Sequence, residues 1–232
     1  MANLLTLDGI DQYYGESHTL WDLKLAIKEG SITCLMGRNG VGKSTLLKSI
    51  MGLEKIRKGS ITFRQHELSK STAETRAKLK IGYVPQGREI FSQLSITENL
   101  QTGLISSGSK KLPDIIFELF PVLKEMQNRR GGDLSGGQQQ QLAIGRALAI
   151  EPELLILDEP TEGIQPNIVR EIGDIIIRLN QEFGLTVLLV EQKLPFARRV
   201  GSHFCIMEKG RNVAVGGIEK LDDELIDRYL KV

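Results

Sequence analysis

The 232-residue chain predicts an α/β fold: a buried parallel sheet, an antiparallel β-rich N-terminal segment, and a helical insertion in the middle. Three observations lead there. Apolar runs at 32–36, 154–157 and 186–190 have the length and composition of strands covered on both faces, and helix-like segments separate them. Residues 3–64 are β-rich with period-two alternation, as in a half-buried sheet. From Gly87 to Asp133 helical signals take over and interrupt the α/β alternation.

Taken in order, Leu23, Leu25 and Ile27 alternate with Lys24, Ala26 and Lys28, and Glu29-Gly30 turns the chain into the run 32–36. A helix follows from Thr45 to Met51, and Gly59-Ser60 opens a strand carrying Ile61 and Phe63. Residues 71–79 read as helix and Ile81 to Val84 as a buried strand ending at Pro85-Gln86. In the insertion, Ser95 and Glu98 form a capping-box pattern, Pro113 sits where a helix can start, and Pro121 breaks it. Ile90, Phe91, Leu94, Phe117, Phe120 and Met126 are expected to form the insertion's own core. A helix beginning at Ser135 places Ile144, Ala147 and Leu148 on one face, and Pro166 to Phe183 is helical with Gly184 as its stop. Phe204 to Met207 and Val213 to Val215 flank a turn, and Leu221, Leu225 and Tyr229 mark a terminal helix. The expected organisation is one domain, 1–232, with 1–86 and 134–232 as its core and 87–133 as the inserted helical subdomain.

Composition removes several functions. Thirty basic against twenty-nine acidic residues and few aromatics give no electrostatic or stacking case for a nucleic-acid partner. Cys34 and Cys205 sit in apolar runs as expected buried thiols, and three scattered histidines with no C-x-x-C offer no zinc pattern. No apolar run approaches the roughly 20 residues of a membrane span, so a soluble, cytosolic chain is expected.

Between the strand at 32–36 and the helix at 45–51 lies Gly37-Arg38-Asn39-Gly40-Val41-Gly42-Lys43-Ser44, followed by Thr45. This is the phosphate-loop pattern in the strand–loop–helix setting that the pattern needs. Its glycines allow backbone N–H groups to turn inward around an anion, and the helix start adds its positive dipole end. Lys43 is placed to reach the β- and γ-phosphates and Ser44 to hold Mg²⁺. Asp158 and Glu159 end a buried strand, where ligands sit in open α/β sheets. Asp158 suits support of Mg²⁺ and Glu159 suits a general base acting on water. Ser135-Gly136-Gly137-Gln138 reads as a capping box whose glycines also admit close approach of an anion. A second phosphate-binding helix start in one domain is redundant unless it faces another molecule's nucleotide.

Leu134 to Gln138, lying between the phosphate loop and Leu157-Asp158-Glu159-Pro160-Thr161, resembles the signature of ABC-type ATPases over nearly the whole chain. The resemblance implies ATP and Mg²⁺ as ligands. It also implies an aromatic at Tyr14 stacking on adenine, Gln86 linking Mg²⁺ to the helical subdomain, and Glu162 to Gln165 as a loop crossing between paired subunits. Each ATP would lie between one subunit's phosphate loop and the other's signature helix. One position departs from the family pattern: Gln192 stands where a histidine is usual, and glutamine donates a hydrogen bond but carries no charge. Gly37 to Val41, Tyr83 to Phe91, Glu162 to Pro166 and Val190 to Gln192 resemble the branched-chain amino-acid class of bacterial importers. Gln12 to Trp21 and Gly132 to Gln141 are similar to the urea importers within it. Uptake of urea or short amides is therefore the first expectation, branched-chain or hydrophobic amino acids the alternative, and a soluble non-transport ATPase the reading from another class. The implied partners are two transmembrane permeases, a second ATPase subunit (a different chain or a second copy) and, indirectly, an extracytoplasmic solute-binding protein. The implied location is peripheral, on the cytoplasmic face of the bacterial inner membrane.

Overall fold

A computed structural model describes residues 2–231. Two sheets dominate. The first is antiparallel, in the order β2-β1-β4-β5, from β1 (Asn3–Tyr14), β2 (Ser17–Lys28), β4 (Ile56–Phe63) and β5 (His66–Glu67). The second follows the order β10-β9-β3-β8-β7-β6 and comprises β3 (Ile32–Met36), β6 (Ile81–Val84), β7 (Leu154–Asp158), β8 (Thr186–Val190), β9 (His203–Glu208) and β10 (Arg211–Gly217). All its pairings are parallel except the β9–β10 hairpin at one edge. The apolar runs at 32–36, 154–158 and 186–190 are buried at every residue, as expected for strands covered on both faces.

Strand alternation divides the interior into two cores. Leu154, Ile156, Leu188 and Val190 point to the side occupied by the antiparallel sheet and by α1 (Lys43–Met51). Leu155, Leu157, Val187 and Leu189 point the other way, into the helical layer. That layer contains α3 (Ile96–Gly103), α4 (Ile115–Leu119), α5 (Pro121–Glu125), α6 (Gly136–Leu148), α7 (Pro166–Phe183), α8 (Leu194–Val200) and α9 (Asp223–Tyr229). The short α2 (Ala73–Lys78) leads into β6. Helix boundaries follow local chemistry. Full capping boxes start α3 at Ser95 and α6 at Ser135, and left-handed Gly184 ends α7.

The insertion differs from expectation in two respects. Pro121 opens α5 as its first residue rather than simply ending a helix, because the first turn needs no N–H from it. Phe120 is fully buried, but Phe91 is 50% exposed and does not belong to a core. The insertion's buried residues, Ile96, Leu100, Phe120 and Leu123, join Leu142 and Ile144 of α6 in one continuous cluster. No helix among the described residues is long and apolar enough to cross a membrane.

Candidate active site

The C-terminal ends of β3, β6, β7 and β8 lie side by side, and each delivers part of one cleft of about 360 Å³. From the loop after β3 come Asn39, Gly40 and Gly42, from the start of α1 Lys43, Ser44 and Thr45, and from just beyond β6, β7 and β8 come Gln86, Glu159 and Gln192. Thr19 and Glu162 complete the lining. The loop's path depends on glycine. Gly37, Gly40 and Gly42 have φ of 148°, 79° and 104°, and a Cβ on Gly37 would lie 2.5 Å from the Met207 carbonyl oxygen. Gly42 then starts α1, whose first N–H groups face the cleft without a side-chain cap.

Lys43 folds back onto the loop, its Nζ donating to the carbonyls of Gly37 at 2.8 Å and Arg38 at 3.0 Å. Burial lowers its pKa, opposed by the charges of Glu159 and Asp158. Asp158 is 3% exposed, and its Oδ1 has no hydrogen-bond partner among the described residues. Burial raises its pKa, a hydrogen bond from Ser44 lowers it, and the Glu159 charge raises it further. A buried carboxylate oxygen without a donor, beside a serine hydroxyl, has the hard-oxygen chemistry that Mg²⁺ requires. The donor set fits that ion: Ser44 and Asp158 could hold it, and Gln86 lines the same cleft.

Glu159 has φ of 50°, a left-handed turn directly after β7, and its N–H donates to the Val190 carbonyl at 3.0 Å. Its carboxylate receives Gln192 Nε2 at 2.5 Å on one oxygen and Gln86 Nε2 at 3.4 Å on the other. Gln192 Nε2 also donates to Asn39 Oδ1 at 2.8 Å, tying the end of β8 to the phosphate loop. Gln192 is therefore an engaged donor at the cleft wall.

Other residues marked by the sequence lie elsewhere. Tyr14 ends β1, 43% exposed, and does not line this cleft. Arg38 turns away and donates to the Lys231 carbonyl, while Val41 packs beside Gly37 and the first core. Ser135, Gly136, Gly137 and Gln138 cap α6 and do not line the cleft, so one chain does not bring the two glycine-bearing helix starts together. Glu191 was marked only as part of the Val190 to Gln192 stretch, with no role of its own. It is buried and accepts from Thr161 Oγ1 at 2.7 Å and from the backbone N–H groups of Gln192 and Lys193, each at 2.9 Å. It fixes the loops after β7 and β8 against each other.

The family model for ABC transporters matches residues 20–162. The chain belongs to the ABC transporter ATPase family. It is 41% identical to the high-affinity branched-chain amino acid transport ATP-binding protein BraG of Pseudomonas aeruginosa, over 98% of this chain and 99% of that one. It is 37% identical to the probable branched-chain amino acid transport ATP-binding protein LivF of Archaeoglobus fulgidus, over 93% of each. Among solved structures it is similar to the ADP conformation of MJ1267, an ATP-binding cassette of an ABC transporter, with TM-score 0.84 and 26% identity over 98% of both chains. It is also similar to a dimeric post-hydrolysis state of the cassette MJ0796 bound to ADP and Pi, with TM-score 0.82 and 26% identity over 92% of this chain and 98% of that one. This ABC ATPase thus couples ATP hydrolysis to transport, and the cleft at the ends of β3, β6, β7 and β8 is its candidate nucleotide site.

Proposed function

We propose that the chain is the ATPase subunit of a bacterial importer for branched-chain amino acids. The observation that carries this reading is the 41% identity, over essentially the full length of both chains, to a transport ATPase for those solutes. Urea stays as a second reading, favoured by the local sequence of 12–21 and 132–141. Uptake of labelled leucine and labelled urea in a strain lacking this chain separates the two. Loss of leucine uptake alone is the expected result, and loss of urea uptake alone would reverse the assignment.

In this reading ATP lies with its phosphates in the loop 37–45, and Lys43 exchanges its bonds to the loop carbonyls for phosphate oxygens. Ser44, Asp158 and Gln86 would hold Mg²⁺, which would supply charge neutralisation to the phosphates. Glu159 orients and deprotonates the attacking water. Gln192, whose two Nε2 hydrogens go to Glu159 and Asn39, holds that carboxylate toward the phosphate loop, and by exchanging its Asn39 bond it offers the γ-phosphate a neutral hydrogen bond in place of an imidazolium. Ser135 to Gln138 cap the nucleotide of a second subunit, and ATP is the clamp between the two. The dimeric state of the similar cassette MJ0796, bound to ADP and Pi, supports the pairing of two subunits.

The permease partner needs a face on this chain. A groove of about 420 Å³ runs between the insertion and α6, lined by Tyr83, Phe91, Ile105, Arg146 and Ile150 among others. Phe91 is 50% exposed and Ile105 81%, and the Arg146 guanidinium lies 5.4 Å from the Phe91 ring centre. A groove that combines exposed apolar side chains with the Arg146 guanidinium and the Glu89 carboxylate suits an amphipathic cytoplasmic helix of a membrane subunit. Gln86 and Arg88 link this face to the nucleotide cleft.

Glu159→Gln tests the chemistry. Turnover should fall by about 10²–10⁴, the usual worth of a general base, while ATP binding persists. Phosphate release at the wild-type rate would remove Glu159 from that role.

A further inference from the structure

Glu162 lines the cleft, yet the mechanism above gives it no task. We propose that Glu162 is the positioning residue for Gln86: it holds the side-chain amide so that the carbonyl oxygen is the part left for a divalent cation. The inference rests on reading the cleft as an Mg²⁺–ATP site.

The need for such a grip follows from the backbone. Gln86 comes just after β6 ends, and Gly87, Arg88 and Glu89 then adopt φ of 80°, 70° and 46° in succession. No helix or strand fixes the orientation of a side chain on such an arm. What holds Gln86 is its Nε2, which donates to Glu162 Oε2 at 2.8 Å and, more weakly, to Glu159 Oε2 at 3.4 Å. Ionised carboxylates only accept, so the amide N–H groups must face them and Oε1 must face elsewhere. Glu162 is itself held: its N–H donates to the Glu159 carbonyl at 3.1 Å, and its carbonyl accepts from Arg88 Nη2 at 3.5 Å. Arg88 also donates to Gln139 Oε1 at 3.3 Å, so the arm, the turn after Glu159 and the first turn of α6 form one connected unit. Partners that orient a metal ligand in this way are worth about 10–100-fold in metal affinity elsewhere.

The test uses the full chain with Mn²⁺ and ATP, counting bound Mn²⁺ by electron paramagnetic resonance, and separately trinitrophenyl-ATP in EDTA by fluorescence. Glu162→Ala should weaken Mn²⁺ retention about tenfold, the lower end of such effects, without a matching loss of metal-free nucleotide binding. Glu162→Gln should retain most of the Mn²⁺ affinity, because its carbonyl oxygen can accept the same N–H. Wild-type Mn²⁺ affinity in Glu162→Ala, an equal loss in Glu162→Gln, or a parallel loss of metal-free binding would each overturn the proposal. Gln86→Ala separates the inference from its basis. If Gln86→Ala weakens Mn²⁺ retention and Glu162→Ala does not, positioning fails alone; if neither does, the reading of Gln86 as a metal ligand fails with it.

Discussion

Asp158 ends β7 as a buried carboxylate with one oxygen bare, and its pKa lies above the ordinary 3.8. The sign of the consequence is fixed by linkage. Between the unfolded and folded pKa values the folded chain binds more proton, so stability falls as pH rises through that window and stays reduced at neutral pH. Asp158→Asn should therefore raise the melting temperature of the nucleotide-free protein by about 3 °C, equivalent to ~1 kcal/mol for a chain of this size. The same variant should lose the further stabilisation that Mg²⁺–ATP gives the wild type. A scanning-calorimetry pair with and without Mg²⁺–ATP checks both, and an unchanged or lower value without ligand would contradict the sign. Burial likewise pushes the Cys34 and Cys205 thiols up to about 12, because the thiolate is disfavoured in an apolar core. Neither should react with a maleimide at pH 8 in the native protein, and both should after denaturation, as read by mass spectrometry. At this scale the site was legible where chemistry is tied to spacing: Lys43, Ser44, Asp158 and Glu159 follow from a loop motif and from carboxylates ending an apolar strand. The hydrogen bonds of Glu162 and Glu191 were not, since their partners, Gln86 and Thr161, come from separate segments that only the fold brings together.

The elements were legible where one local signal governs. Continuous apolar runs became fully buried strands, and two capping boxes became the starts of α3 and α6. The insertion was harder because its faces are decided by what packs on them. Phe91 and Phe120 look alike in the sequence, yet Phe120 meets α6 and Phe91 lines the groove. The contact between α3 and α6 depends on two glycines. A Cβ on Gly103 would lie 2.3 Å from the Arg146 carbonyl oxygen, and one on Gly145 would meet Leu100 and Ile116 side chains at 3.1 Å each. Backbone cannot give way as a side chain can. Gly103→Ala should therefore cost about 1–3 kcal/mol, as overpacking does, and Gly145→Ala less, because leucine and isoleucine can shift. Urea denaturation of both variants measures the difference, and a larger cost at Gly145 would show that the α3–α6 approach is less rigid than its geometry implies.

At the scale of the molecule, the phosphate loop and the Ser135–Gln138 helix start, both proposed to bind phosphate, do not share a cleft within one chain. Each is half of a site if two copies pair head to tail, and the arrangement predicts complementation between damaged halves. Lys43→Ala removes the cation from one half. Gly136→Asp damages the other without unravelling α6, because an acidic residue is tolerated at a helix start and the Arg88 guanidinium lies 3.3 Å from the position of its Cβ. Its charge then repels the incoming phosphates. Alone, each variant forms dimers in which every site has one bad half, so each should be inactive. Mixed in equal amounts, random pairing makes half of the dimers heterodimers. In these, one site joins two damaged halves and the other joins two intact ones. The mixture should therefore recover about a quarter of the wild-type phosphate-release rate, with a rate that rises faster than linearly with protein concentration until dimers are complete. A site complete within one chain gives a different result: mixing restores nothing, and Gly136→Asp alone keeps its turnover.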